Sequence, residues 1–123
     1  MNQELFISRA KENLEAAILL FDNELFNACA NRAYYAAFHL AIASILSVGI
    51  TPTIDHKTVQ TLFSENFFNR RKVLPSKFKE YLSDLQIIRN IADYKDGISK
   101  ARAKIQLNMA KDFFIIINER KII

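Results

Sequence analysis

The stretch that decides the fold is Ala28-Cys29-Ala30-Asn31-Arg32-Ala33-Tyr34-Tyr35-Ala36-Ala37-Phe38-His39-Leu40-Ala41-Ile42-Ala43-Ser44-Ile45-Leu46-Ser47-Val48. Sixteen of its 21 residues are apolar, and the exceptions are Asn31, Arg32, His39, Ser44 and Ser47. A membrane span needs about 20 predominantly apolar residues, so the length alone would suit one. Asn31, Arg32 and His39 argue against it, because polar and charged groups are costly at bilayer depth. The sequence instead reads as the central helix of a bundle, running from about Glu24 to Val48. A helix apolar nearly all round has to be covered on most sides.

The flanking sequence supplies the cover. A first helix from about Asn2 to Phe21 carries Phe6, Ala10, Leu14, Ala17, Ile18 and Phe21 at three- and four-residue steps, which predicts one buried face. Asp22-Asn23 offers short polar side chains to end that helix and cap the next. Gly49-Ile50-Thr51-Pro52-Thr53 breaks the central helix, since Gly suits a C-terminal cap and Pro cannot continue the helix. A third helix starts near Asp55 and carries Val59, Leu62, Phe63 and Phe67. Asn69-Arg70-Arg71-Lys72 follows as a polar, basic connection. Pro75 is expected as the first residue of a fourth helix, with Phe78, Tyr81, Leu82, Leu85, Ile88 and Ala92 as its stripe. Tyr94-Lys95-Asp96-Gly97 reads as a turn. Ser99 then caps a fifth helix bearing Ile105, Met109, Phe113, Ile116 and Ile117. The expectation is an all-α, up-and-down bundle of four to five helices, one domain over residues 1–123.

Composition narrows the function. With only Gly49 and Gly97, no dinucleotide fingerprint or phosphate-binding P-loop can be written. One Cys excludes an intrachain disulfide, and one Cys with two His makes a structural zinc site a poor fit. No metal and no cofactor are expected. Met1-Asn2-Gln3-Glu4 lacks the basic and apolar start of a signal peptide, so the expected location is cytoplasmic, without a membrane partner. The net charge of +4 divides unevenly: 4 basic against 7 acidic residues up to position 66, then 13 against 6. A basic C-terminal half permits a phosphate-bearing ligand without demanding one.

Three groups of residues are candidates for chemistry. Arg32, Tyr35 and His39 lie at i, i+3 and i+7 on the central helix, with Asn31 beside them, and are expected to form a supporting polar network. Arg89 falls on the apolar stripe of the fourth helix, four residues after Leu85 and four before Asp93. It reads either as a local Arg89–Asp93 pair or as an arginine facing phosphate or a second subunit. His56, at the start of the third helix, is a local hydrogen-bonding group or a proton-exchanging one. The run Arg70, Arg71, Lys72, Lys77 and Lys79 is a solvated surface or a backbone contact for nucleic acid. Cys29, inside the apolar helix, reads as core.

Taken together, Asn31-Arg32-Ala33-Tyr34-Tyr35-Ala36-Ala37-Phe38-His39, then Pro52, His56 and Phe63, then Arg89 with Ala92-Asp93-Tyr94, resemble the HEPN domain family (higher eukaryotes and prokaryotes nucleotide-binding). The resemblance covers about Ser8 to Phe114. It implies a helical bundle, commonly a homodimer, acting beside a small nucleotidyltransferase in toxin–antitoxin systems. Many such proteins are metal-independent endoribonucleases whose motif is an Arg followed, after four to six positions, by a His. Arg89 and Asn90 match the first half of that motif, but Tyr94, Lys95 and Asp96 stand where the His should fall. Tyr and Lys titrate about 3–4 pH units above His, and Asp well below it, so none replaces a group that exchanges protons near neutrality.

Three functions follow from these residues together with what the resemblance implies about partners. One is a homodimeric nucleotide- or RNA-binding module, with Arg89, Asn90, Asp93 and Tyr94 lining the ligand site and a nucleotidyltransferase as partner. Another is an endoribonuclease in which His39 or His56 stands in beside Arg89. The third is a purely structural dimerisation module. The apolar central rod and Phe113-Phe114-Ile115-Ile116-Ile117 leave more apolar surface than five helices easily hide, which points to a dimer in each case.

Overall fold

A computed structural model describes residues 2–123. Five α-helices follow in order: α1 (Gln3–Asp22), α2 (Phe26–Ser47), α3 (His56–Ser64), α4 (Tyr81–Tyr94) and α5 (Lys100–Glu119). No strand is present among the described residues. The all-α bundle expected from the sequence is therefore the observed architecture. No helix is long and apolar enough to cross a membrane among the described residues.

The arrangement is built around α2, which packs against α1, α3, α4 and α5. Thirteen of its 22 residues are buried, six of them alanines. Small side chains let the neighbouring helices come close, and the aromatic groups fill the space between them. Phe63, Phe67 and Phe113 meet beside α2, with ring centroids 5.0 Å (Phe63–Phe67) and 5.4 Å (Phe63–Phe113) apart. The wholly buried Gln106 of α5 donates from Nε2 to the Leu85 carbonyl at 2.7 Å, which ties α5 to α4 without an orphaned amide.

Local chemistry sets the ends of the helices. The Asn2, Asp55 and Ser99 side chains accept from the backbone N–H of Glu4, Thr58 and Arg102, and so cap α1, α3 and α5. Three boundaries depart from the sequence reading. Asp22-Asn23 serves only α1: Asn23 donates back to the Leu19 carbonyl, while α2 starts after Leu25 with no side-chain cap. The third helix does not stop before the basic run but continues as a π-helical turn, Glu65–Arg70. Pro75 is extended (ψ 143°) and opens a single 3-10 turn, Ser76–Phe78, so α4 begins only at Tyr81.

The face of α5 is also shifted. Ile105, expected in the buried stripe, is 60% exposed; Ala103, Gln106, Leu107, Ala110, Phe113, Ile116 and Ile117 face inward instead. Hydrophobicity drew Ile105 into the predicted stripe, whereas the observed face takes in the polar Gln106 because Leu85 offers it a carbonyl. The shift is testable by denaturation. Phe113→Ala should lose about 3–5 kcal/mol through an unfilled cavity, whereas Ile105→Ala should stay within about 0.5 kcal/mol. Equal losses at the two positions would contradict this face.

Candidate functional site

The end of α4 lies on one face of α2. Asn27, Asn31 and Tyr35 stand on that face at i, i+4 and i+8, and each engages a different part of the α4 terminus. The Asn27 side-chain oxygen Oδ1 accepts the Ile98 N–H at 2.9 Å, fastening the loop after α4. Gly97 sits there with φ +88°, and a Cβ would lie 3.0 Å from the Asn27 amide, so the close approach needs glycine twice over. Asn31 Nδ2 donates to Asp93 Oδ2 at 2.9 Å. Tyr35 offers its ring to Arg89, whose guanidinium carbon lies 5.2 Å from the ring centroid.

Arg89 is thus held on several sides. Its Nε–H donates to Asp93 Oδ2 at 2.8 Å, Nη1 to Asn90 Oδ1 at 3.2 Å, and Nη2 to the Tyr94 hydroxyl at 3.5 Å. The Tyr94 ring stands 5.5 Å from the guanidinium, so Arg89 lies against both tyrosines. Its side chain is only 12% exposed. A guanidinium carries five N–H donors, and three are engaged here. The remaining two have no hydrogen-bond partner among the described residues.

His56, the first residue of α3, reaches the same place from the other side. Its ring centroid is 6.2 Å from that of Tyr35 and 5.5 Å from that of Tyr34. The Tyr34 hydroxyl and His56 Nδ1 are 2.6 Å apart. Burial and then the positive charge of Arg89 push the His56 imidazole below its ordinary value, against the opposing pull of Asp55. Arg89 and His56 therefore meet at one tyrosine ring, where the Arg89 charge acts on His56. They come from positions 33 residues apart.

The remaining polar residues of α2 face elsewhere. Arg32 donates to Asn13 Oδ1 at 3.1 Å. His39 lies against Phe6, at 5.8 Å between centroids, with its Nδ1 buried and without a partner. Both line a cleft of about 560 Å³ between α1 and α2 with Arg9, Glu12 and Asn13. Burial, reinforced by Arg9, lowers the His39 pKa. Of the expected network of Asn31, Arg32, Tyr35 and His39, Asn31 and Tyr35 hold the Arg89 cluster and Arg32 pairs with Asn13, while the His39 ring lies 6.2 Å from that of Tyr35 but is influenced by Arg9 where His56 is influenced by Arg89. The basic residues Arg70, Arg71, Lys72, Lys77 and Lys79 are exposed along the α3–α4 connection. Burial pushes the Cys29 thiol up to about 11, so it is no nucleophile at neutral pH. Among the described residues, no group of three or more His, Cys, Asp or Glu is placed to hold a metal ion.

The sequence reading did not single out Tyr34 or Asn27 for the site. Tyr34 is one of a Tyr-Tyr pair, and nothing in the spacing shows that its hydroxyl meets a histidine 22 residues onward.

Comparison with known proteins places these elements in a context. Residues 3–120 match the family model of the HEPN domain. A UPF0332 protein of Gloeobacter violaceus is 32% identical over 92 residues, covering 75% of this chain and 71% of its own. Two relatives in Methanocaldococcus jannaschii carry the name "Putative toxin". One is 27% identical over 96% of this chain and 78% of its own. The other is 41% identical over 54% of this chain and 48% of its own.

The two histidines give the fold a pH dependence of known sign. Both have folded pKa values below the ordinary value of 6.5, so below that pH the unfolded chain binds more protons. Stability should be level above about pH 6.5 and fall as the pH drops through the folded values. Melting midpoints at pH 7.5 and 5 should differ less in His39→Gln and His56→Gln variants than in the parent. An unchanged difference in both would contradict the assignment.

Proposed function

The chain belongs to the HEPN domain family, and from that premise we propose that it is a toxin-type protein that binds RNA and cleaves it without a metal ion. The reading rests on one observation: Arg89 and His56 flank the same Tyr35 ring, at 5.2 and 6.2 Å from its centroid. Arg89 supplies two free N–H donors and a fixed positive charge to a phosphodiester. Such charge matters most when the 2′-oxygen attacks phosphorus and negative charge accumulates on the phosphoryl oxygens. The new 2′-O–P bond forms as the P–O5′ bond breaks, and the net proton transfer runs from the 2′-hydroxyl to the 5′-oxygen. His56 stands at the same ring, in place of the histidine missing from positions 94–96, and adds a hydrogen-bond donor for the phosphoryl oxygens, while solvent water carries the proton from the 2′-hydroxyl to the 5′-oxygen. Asn90 and Asp93 orient Arg89.

A second reading is favoured by the same missing motif histidine. The site then binds a nucleotide or RNA without cutting it, and the protein acts with a nucleotidyltransferase as the other half of a toxin–antitoxin pair. Cleavage of RNA in the presence of a chelator separates the two. On the first reading Arg89→Ala and His56→Ala each lower cleavage by about 10²–10⁴-fold. Binding without cleavage leaves the second reading. Absence of both binding and cleavage overturns both.

A homodimer is part of either reading. Ile87 and Tyr94 lie seven residues apart on α4, 56% and 70% exposed, and the Tyr94 ring stands against Arg89. Ile54, just before His56, is exposed as well. A second copy covering them would enclose the site and hide apolar surface that water otherwise meets. Sedimentation should give a dimer that Ile87→Asp dissociates; a monomeric parent protein would contradict this.

A further inference from the structure

The largest wholly buried side chain, Tyr34, carries one polar atom, and that atom has a single close partner. Its hydroxyl lies 2.6 Å from Nδ1 of His56, and the residue is 0% exposed. A buried hydroxyl has to place its proton on an acceptor, because an unpaired one costs free energy in an apolar interior. Burial also keeps that proton in place, raising the Tyr34 pKa to about 12. With His56 Nδ1 as its one hydrogen-bond partner, the O–H has that nitrogen to point at.

We propose that Tyr34 is a positioning residue, which donates its proton to Nδ1 of His56 and thereby fixes the imidazole as the tautomer with hydrogen on Nε2. His56 then presents a donor, rather than a lone pair, on its outer nitrogen. Beside Arg89 that makes a two-part anion site, with guanidinium N–H groups and one imidazole N–H directed at phosphoryl oxygens. The charged groups around the ring act in the same direction or weakly against it. Arg89 of α4 disfavours the imidazolium, and Asp55, which precedes α3, favours it to a lesser degree. Tyr34 of α2, its pKa raised by burial, is neutral at pH 7. A neutral donor is the state that these neighbours sustain. The expected consequence for RNA rests on the reading of Arg89 and His56 given above, whereas the tautomer itself does not.

The test is nitrogen NMR of the two histidines in the full chain at pH 7.5, in the parent protein and in Tyr34→Phe. In the parent, His56 should show an unprotonated Nδ1 and a protonated Nε2. Removing only the hydroxyl should move both resonances toward the average of a tautomer mixture, while His39, which does not touch Tyr34, stays where it was. A protonated Nδ1 in the parent would overturn the proposal even if the variant failed to fold, and so would unchanged His56 resonances in a folded variant. A second readout is affinity for a short RNA with 2′-deoxy linkages, which binds without reacting. Tyr34→Phe should weaken it about tenfold, the worth of roughly one hydrogen bond to a charged group, and Arg89→Ala should weaken it more. If the tautomer is as stated but no oligonucleotide binds, the function proposed above fails and the role of Tyr34 stands.

Discussion

Everything in this molecule depends on covering α2. The helix buries 13 of its 22 residues, and much of its surface is alanine, which occupies little space and has no polar group to satisfy. Burial of this kind is favourable in proportion to the apolar area removed from water. It can be reached only if other helices come close on nearly every side. Four of them do, and the positions of their polar residues follow from where they must lie to make contact.

That constraint converts a few polar exceptions on α2 into anchors. A polar side chain on a rod surrounded by helices must find a partner on whichever neighbour it faces. Asn27, Asn31 and Tyr35 face the end of α4 and take hold of Ile98, Asp93 and Arg89 in turn. Tyr34 faces the start of α3 and takes hold of His56. Two residues distant in sequence, Arg89 and His56, are brought to one tyrosine ring because α4 and α3 both have to rest on the same helix. The site is a by-product of packing around α2, made specific by four polar or aromatic side chains.

The division among the α2 side chains shows how far spacing can be read. Arg32, Tyr35 and His39 fall within about 60° of one another around the helix axis, at about 100° per residue. From the sequence they are one stripe. In the folded chain the three meet different neighbours: Tyr35 takes Arg89 of α4, Arg32 takes Asn13 of α1, and His39 lies between Phe6 of α1 and the Tyr35 ring. A helical wheel gives angles but not the positions of neighbours. The same limit explains Ile105 and Gln106: the wheel favours the apolar residue, and the neighbouring Leu85 carbonyl favours the polar one.

By itself, the sequence determined that the chain forms helices, that Ala28–Val48 lies at their centre, and that Arg89 stands on an inward stripe near a carboxylate. These are local or periodic properties, set by the hydrophobic repeat, by caps such as Asp55 and Ser99, and by the cost of exposing an apolar rod. It also showed that no histidine follows Arg89 at the family's spacing. Only the tertiary structure decided that His56 and Arg89 come to the same tyrosine ring, that the Arg89 charge acts on His56 and not on His39, and that the Tyr34 hydroxyl lies against an imidazole. Those are contacts between helices, governed by which faces meet when α2 is covered, and the spacing of residues within a single helix carries no record of that choice.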